Sequence, residues 1–284
     1  MGYLKKAGHI IIIAIIFSFQ SCMKDVDFSG FLYTAEGSNE RFDNSMEWNL
    51  RHPSKDLVVN SDNYTFLVAG DSHCGTTKNL DFFIGKANAP GISFSIIAGD
   101  LTSGLKDDYD SVYKHLTNMA IRPPFLSVGN HDLFFHGWNT FIDYFGSSTY
   151  TFTVTSPSGK DLFICLDSGT GTLGSKQMQW LKDIMKSRAG YRNCVVFTHV
   201  NFFREHRVES ATLLVEEVYA LLDLFSDNNV DMVIMGHDHW RSVENLGKTY
   251  YITLDAIEDE FGSASYMSVT NQKGVISYQF IDVD

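Results

Sequence analysis

The sequence is poor in the features that would place a chain in a special structural class. Its 284 residues include four cysteines and five prolines, and the cysteines have no regular spacing. Neither a disulfide framework nor a proline-rich or collagen-like chain is therefore indicated. Runs of lysine or arginine are absent outside the extreme N-terminus, and the formal net charge is −12. Such a chain would repel a polyanion at long range, which argues against nucleic acid as a bulk ligand.

Long apolar runs are also scarce, and the one near the N-terminus is short. It spans residues 10–17, follows Lys5 and Lys6, and is followed by small and polar residues up to Cys22. This order is typical of an export signal, and the run is too short for a transmembrane helix, which needs about 20 residues. We predict a signal over residues 1–21 that resembles a bacterial lipoprotein signal, with Cys22 as the lipid acceptor. The protein would then be exported to the cell envelope, periplasmic or surface-facing, and held on a membrane by that lipid. A buried N-terminal helix or an uncleaved anchor is the alternative.

The rest of the chain has the composition of a globular protein, with 44% hydrophobic and 20% charged residues. Residues 22–60 show no clear period, and we interpret them as a tether and an irregular lead-in. Residues 61–284 alternate short β-rich runs with segments of helical spacing, which predicts one α/β domain. The predicted strands are Thr65–Ala69, Phe94–Ala98, Phe125–Val128, Leu162–Leu166, Val195–Phe197 and Met232–Met235, and the clearest helices are Tyr109–Met119, Ser175–Met185 and Ala211–Phe225. Two hairpins, Tyr150–Leu166 and Tyr266–Phe280, add antiparallel strands, and Cys74, Cys165 and Cys194 are interpreted as packing thiols.

One pattern carries the chemistry: a strand ends in glycine, and a potential metal ligand follows. The instances are Gly70-Asp71, Gly99-Asp100, Gly129-Asn130 and Gly236-His237, and a fifth strand runs into His199. Ligands of open α/β sheets gather beyond the carboxyl ends of the strands, so these side chains should meet at one rim. His73 and His239 follow two residues after Asp71 and His237, where they point the same way in an extended chain. Seven such groups exceed what one ion uses, which predicts two metal ions.

These motifs are together similar to the motif set of the calcineurin-like metallophosphoesterases. The matching positions are Asp71-x-His73, Gly99-Asp100, Gly129-Asn130-His131-Asp132, His199 and Gly236-His237-x-His239. The resemblance implies a four-layer sandwich of two mixed β-sheets flanked by helices, with a dinuclear metal site. It also implies a metal-dependent hydrolase of phosphate esters.

The resemblance implies a role for each residue. Asp71, His73 and His239 would hold one metal, Asn130, His199 and His237 would hold the other, and Asp100 would bridge them. His131, with Asn130, would contact the substrate phosphate and assist the leaving group. The metals would be two divalent or trivalent ions among Mn, Fe, Zn and Co. Two cations about 3.5 to 4 Å apart can convert a bridging water to hydroxide for in-line attack on phosphorus.

The substrate is left open by the sequence beyond a small phosphomonoester or phosphodiester. Ser103 and Gly104 replace the Asp and Arg of the protein-phosphatase branch, while Gly99–Thr102 and Gln179–Leu181 look more like the branch that contains cyclic-nucleotide phosphodiesterases. Candidate rim residues that we interpret first as loop or core residues are Arg204, His206, Arg207, Trp240, Arg241, Phe134, Phe135 and Trp138. The alternatives are a non-catalytic, surface-exposed metal-binding lipoprotein of the same fold, and a hydrolase of a pyrophosphate or phosphonate bond.

Overall fold

The fold is described from a computed structural model, which covers residues 34–53, 56–74, 77–204, 211–259 and 262–283. The predicted signal over residues 1–21, the lipid acceptor Cys22 and two rim candidates, His206 and Arg207, lie outside the described residues. Those expectations therefore stay predictions. Within the described residues, no helix combines the length and the apolar character that crossing a bilayer requires.

Twelve strands and six α-helices are found in the part of the chain that the structure describes. The strands are β1 (Leu57–Val58), β2 (Asn63–Ala69), β3 (Ile92–Ala98), β4 (Phe125–Ser127), β5 (Tyr150–Ser156), β6 (Gly159–Cys165), β7 (Cys194–Phe197), β8 (Met232–Met235), β9 (Ser242–Leu246), β10 (Thr249–Thr253), β11 (Ser265–Gln272) and β12 (Val275–Asp282). The helices are α1 (Ser38–Arg51), α2 (Lys78–Ala87), α3 (Lys106–Met119), α4 (Trp138–Phe145), α5 (Gly174–Met185) and α6 (Val215–Asp227). Short 3-10 helices cover His131–His136 and Arg188–Gly190.

The strands form two mixed sheets. Over the described residues, one sheet has seven strands in the order β1-β5-β6-β7-β8-β10-β9, and the other has five in the order β12-β11-β2-β3-β4. Strands β2, β3 and β4 run parallel, as do β6, β7 and β8. The hairpins β5-β6, β9-β10 and β11-β12 are antiparallel, and so is the pair β11-β2, which joins the last hairpin to the parallel strands. The carboxyl ends of the parallel strands, where ligands gather in such sheets, therefore belong to both sheets.

Apolar side chains hold four layers together. Between the sheets, the ring centroids of Phe66 and Phe94 lie 4.7 Å apart, and Phe163 packs on Phe66 at 5.4 Å. A second cluster joins the outer face of the five-stranded sheet to α2, α3 and α4, and a third joins the seven-stranded sheet to α5 and α6. Helix α3 shows why these helices form: its buried residues Tyr109 and Val112 are three apart, which puts them on one face. The predicted sandwich of two mixed sheets flanked by helices is confirmed.

The secondary structure predicted from the sequence is present, with small shifts of its bounds. Each predicted strand is found, and so are both hairpins. The last predicted helix begins at Val215 instead of Ala211. Cys74, Cys165 and Cys194 are buried, as expected of packing thiols. Helices α2 and α4 and the hairpin β9-β10 were not predicted.

The largest correction concerns the lead-in. Residues 38–51 are a regular helix, α1, packed against α5 and β5, so the interpretation of this stretch as irregular is wrong. Its buried residues are Arg41 and Ser45, four positions apart on one face. Because both are polar, and the apolar residues Phe42 and Met46 are only half-buried, the apolar signal for this helix is weak.

Candidate metal centre

The structure brings the seven predicted ligands together at the rim where parallel strands of both sheets end. Asp71 follows β2, Asp100 follows β3 and Asn130 follows β4, all in the five-stranded sheet. His199 and His237 follow β7 and β8 in the seven-stranded sheet. The site therefore lies where the two sheets meet, and the strand ends of each sheet supply some of its residues.

Five of these side chains stand on left-handed backbone. The φ angle is 56° at Asp71, 39° at His73, 49° at Asp100, 77° at His237 and 57° at His239. This conformation is uncommon for residues that carry a Cβ, costs about 1–3 kcal/mol at each position, and clusters at functional sites. The sharp exit of β2, β3 and β8 is thus achieved at the ligand itself.

The glycines before the ligands allow chains to approach closely. A Cβ added at Gly129 would lie 2.0 Å from Asp100 Oδ1, and one at Gly236 would lie 2.3 Å from Asp71 Oδ2. Gly70 differs, because a Cβ there would meet its nearest neighbour at 3.5 Å, an ordinary contact. The absence of a side chain therefore lets another residue of the site come close at the ends of β4 and β8, whereas the end of β2 has no such close contact.

A first group of potential ligand atoms is formed by Asp71, His73, Asp100 and His239, which all lie within 4.8 Å of one another. The Nε2 atoms of His73 and His239 are 2.9 Å apart. His239 Nε2 is 3.4 Å from Asp71 Oδ1, and His73 Nε2 is 3.6 Å from Asp100 Oδ2. Two imidazole nitrogens and two carboxylates converge on a single point.

A second group consists of Asp100, His199 and His237, with Asn130 beside it. His199 Nε2 lies 3.1 Å from Asp100 Oδ2, from Asn130 Oδ1 and from His237 Nδ1. Asp100 belongs to both groups. The donor set contains imidazole nitrogens, carboxylates and an amide oxygen, which are the ligands of borderline transition metals. The residues present therefore fit metal ions.

Burial and neighbouring charges set the ionisation of the site residues. Burial lowers the pKa of His73 to about 4, and burial together with the neighbouring His199 lowers that of His237 to about 3, so both imidazoles are neutral near pH 7. Burial opposes a charge on His199 too, but the Asp100 carboxylate outweighs it and raises the pKa of His199 to about 10. Burial likewise opposes ionisation of Asp100, yet the adjacent imidazoles, chiefly His199, hold its pKa far below the usual range.

Two supporting residues were not given roles by the sequence analysis. Asp132 is fully buried, and its carboxylate accepts hydrogen bonds from the backbone N–H groups of Gly129 and Thr102, both at 2.9 Å. Burial and the charge of Asp100 raise the pKa of Asp132. Ser168 Oγ accepts from the N–H of Val200 at 2.9 Å, next to His199. Asp132 was visible as the last residue of the GNHD motif, whereas Ser168 had no sequence signal.

His131 lies beside the first group. Its backbone N–H donates to Asp100 Oδ1 at 2.8 Å. Its ring meets that of His73 edge to face, with centroids 4.4 Å apart, and lies 4.6 Å from the ring of Phe134. The position of His131 is thus fixed relative to the shared carboxylate, and burial lowers its pKa.

The other rim candidates divide into paired, buried and exposed residues. Arg204 Nε lies 2.7 Å from Asp238 Oδ1, so this arginine is not the solvated loop residue that we expected. Arg241 pairs with carboxylates at 3.3 and 3.5 Å. Trp138 is in the core as expected, but Phe135 is 41% exposed, so core packing is wrong for it. Trp240 is 69% exposed.

Known proteins resemble this chain in sequence pattern and in fold. A sequence model of the family described as calcineurin-like phosphoesterase matches residues 64–241. No curated protein matches the chain. GAP50 of Plasmodium, described as the anchor in the inner membrane complex, has a TM-score of 0.63 at 16% identity, over 78% of this chain and 84% of that one.

Two phosphatases have the same fold. A dimetal phosphatase from Danio rerio aligns with a TM-score of 0.55 at 13% identity, over 78% of this chain and 99% of that chain. The purple acid phosphatase PPD1 from yellow lupin (Lupinus luteus) seeds aligns with a TM-score of 0.61 at 11% identity, over 78% of this chain and 52% of that chain. Identities this low support the fold alone. The family match spans more than half of the 284 residues, and this chain belongs to the calcineurin-like phosphoesterase family.

Proposed function

We propose that this protein is a metal-dependent hydrolase of phosphate esters of small molecules. The observation that carries the proposal is the pair of ligand groups that share Asp100. A shared carboxylate with separate imidazoles on either side is the arrangement expected for two cations rather than one. The net charge of −12 favours small substrates over polyanions.

In this proposal each residue has a separate task. Asp71, His73 and His239 would hold one ion. Asn130, His199 and His237 would hold the other ion, and Asp100 would contribute to both. Two cations held this way lower the pKa of a bound water and neutralise charge on phosphoryl oxygens, which is the chemistry that phosphate ester hydrolysis needs. The ions would be Mn, Fe, Zn or Co, which mixed nitrogen and oxygen ligands suit.

His131 would act on the leaving group. It is a half-buried imidazole beside both Asp100 and His73, and Asn130, which precedes it, would help to contact the phosphate. Burial lowers the pKa of His131 in the free protein, but the negative charge of a bound phosphate raises the pKa of a neighbouring imidazole. His131 would therefore take up a proton as substrate binds and donate it to the leaving oxygen.

Metal analysis and substrate hydrolysis together test the proposal. Purified protein supplied with Mn²⁺, Zn²⁺ or Fe²⁺ should contain about two ions per chain by elemental analysis. It should hydrolyse an aryl phosphate or a bis-aryl phosphate, and a panel that includes a pyrophosphate and a phosphonate would define the bond cleaved. Protein that retains two ions but cleaves no substrate would favour the non-catalytic alternative. Protein that binds no ions would overturn the proposal.

The exported location remains part of the proposal. Cys22 as lipid acceptor and the signal over residues 1–21 would place the enzyme on a membrane of the cell envelope, facing the periplasm or the cell surface. Mass spectrometry of the mature N-terminus tests this point, because a diacylated Cys22 is heavier than a free cysteine by the mass of its lipid. An unmodified Met1 would contradict it.

A further inference from the structure

Helix α1 precedes the region that the family model matches. It nevertheless carries a buried charged residue, Arg41, whose carboxylate partner Asp167 follows the carboxyl end of β6. Arg41 has no exposed surface, and Asp167 is 2% exposed. The guanidinium binds the carboxylate with both ends of its fork, Nε to Oδ2 at 2.8 Å and Nη2 to Oδ1 at 2.9 Å. A buried arginine requires such complete pairing, because an unpaired buried charge is strongly destabilising.

Further contacts fix Arg41 from the remaining sides. Nη2 also donates to Thr170 Oγ1 at 3.1 Å, and Nη1 donates to the backbone oxygen of Glu36 at 2.8 Å. The guanidinium carbon lies 6.0 Å from the centroid of the Trp138 ring, within cation–π range. Arg41 thus joins α1 to the loop after β6 and to the start of α4.

The loop held by Arg41 supports one ligand directly. Ser168, next to Asp167, accepts hydrogen bonds on its Oγ from Thr198 Oγ1 at 2.7 Å, from the His199 N–H at 3.3 Å and from the Val200 N–H at 2.9 Å. These donors are three consecutive residues centred on His199. The backbone that carries this imidazole is therefore hydrogen-bonded to the hydroxyl of the residue that follows Asp167, the partner of Arg41.

The same loop also touches the segment of a second ligand. A Cβ added at Gly169 would lie 3.0 Å from the backbone oxygen of Gly129, the residue before Asn130. His199 and Asn130 both belong to the second ligand group, and their side chains lie 3.1 Å apart. Both of these contacts of the loop are with segments that carry His199 and Asn130. The support given by α1 is therefore directed at this side of the metal centre.

We propose that Arg41 is a positioning residue for the metal centre, which acts through Asp167 and Ser168 to hold the ligand group of Asn130, His199 and His237. This inference rests on the proposed function, because it assumes that this group binds an ion. Groups that support metal ligands contribute about 10–100-fold to metal affinity. Since Arg41 acts through an intervening residue, its substitution should weaken one ion about tenfold and leave the other unchanged.

Cobalt binding tests the inference without relying on turnover. Co²⁺ is titrated into the full-length metal-free protein, and both dissociation constants are read from the visible absorption of the bound ion. His73→Ala and His237→Ala, which each damage one ligand group, identify which constant belongs to which group. The test variants are Arg41→Lys, which keeps the charge but loses the fork, and Ser168→Ala, which removes the hydroxyl without disturbing the ion pair.

Arg192→Lys is the matched control. Arg192 forms a similar forked pair with Asp161, with Nε 2.9 Å from Oδ1, but at the start of β6, the end of the sheet opposite the ligands. We expect about tenfold weaker binding at the His237 group in Arg41→Lys and in Ser168→Ala, and wild-type binding of both ions in Arg192→Lys.

Three outcomes distinguish a positioning role of Arg41 from general destabilisation and from failure of the proposed function. Wild-type cobalt binding in both Arg41→Lys and Ser168→Ala would overturn the inference, as would an equal loss in Arg192→Lys, since that loss would reflect general destabilisation. If Arg41→Lys does not fold, Ser168→Ala decides the matter alone. Wild-type protein that binds no cobalt would instead overturn the proposed function.

Discussion

The close approach at the ends of the strands gives the sharpest prediction, because the chain contains its own control. In Gly129→Ala, the new methyl group would lie 2.0 Å from Asp100 Oδ1 and 2.3 Å from the Asp100 backbone nitrogen. Ordinary contact needs about 3.5 Å, so the shared carboxylate or the end of β4 must move by roughly 1 Å or more. Metal sites tolerate changes of about 0.2 Å in ligand distance. A displacement of this size costs about 100-fold in rate.

Gly70→Ala provides the comparison. The methyl group there would lie 3.5 Å from Leu254 Cδ1 and 3.6 Å from the Ala98 oxygen, although Gly70 also separates a strand from a ligand. We expect kcat/KM for an aryl phosphate to fall at least about 100-fold in Gly129→Ala, with loss of bound metal by elemental analysis. In Gly70→Ala both should stay near wild-type values. Equal damage in the two variants, or a fully active Gly129→Ala, would refute the reasoning.

Three further predictions follow from the burial and charge of the site. Asp100→Asn removes the shared carboxylate, so metal content should fall from about two ions per chain to one or none, and hydrolysis should be lost. The pKa of His199 is raised to about 10 without metal, so a cation must displace the proton on this imidazole. The affinity for cobalt should therefore rise by up to about tenfold per pH unit between pH 6 and 8. An affinity that does not change with pH would contradict this prediction. Burial raises the pKa of Cys74 to about 11 and that of Cys194 to about 12, so an alkylating reagent at pH 8 should label them only after unfolding, by peptide mass spectrometry.

The core strands were predictable from sequence because their burial is apolar, although apolar burial alone did not reveal every helix, since α2 and α4 also bury apolar residues. Strands β7 and β8 are buried along their whole length, and such strands read as continuous apolar runs. Helix α1 buries Arg41 and Ser45, while its apolar residues Phe42 and Met46 are only half-buried, so its apolar period is a weak signal. Hairpin β9-β10 was missed for another reason, since β9 is almost entirely exposed and has no buried face to create an alternation.

The ligand set was predictable because each ligand is tied to a strand end in the linear sequence. The residues that support it were not predictable, because Asp167 and Ser168 reach the site through contacts between residues 30 or more positions apart. Examples are the hydrogen bonds that residues 198–200 donate to Ser168 and that Arg41 donates to Asp167. The glycines illustrate the same limit. Sequence reasoning gave Gly70 and Gly129 one role, but only the three-dimensional path of the chain distinguishes an open neighbourhood from a contact of 2.0 Å.

The strained backbone at the ligands explains why hydrogen bonds must hold the ligand residues in place. Left-handed backbone at five ligands costs about 1–3 kcal/mol at each position, and such conformations persist only where the surroundings determine them fully. At Asp71 this hydrogen bond comes from the N–H of His237, which donates to both carboxylate oxygens at 2.9 and 3.1 Å. At Asp100 the donor is the N–H of His131. Each carboxylate thus orients the backbone of another site residue: the Asp71–His237 contact joins the two sheets, whereas the Asp100–His131 contact lies within the five-stranded sheet.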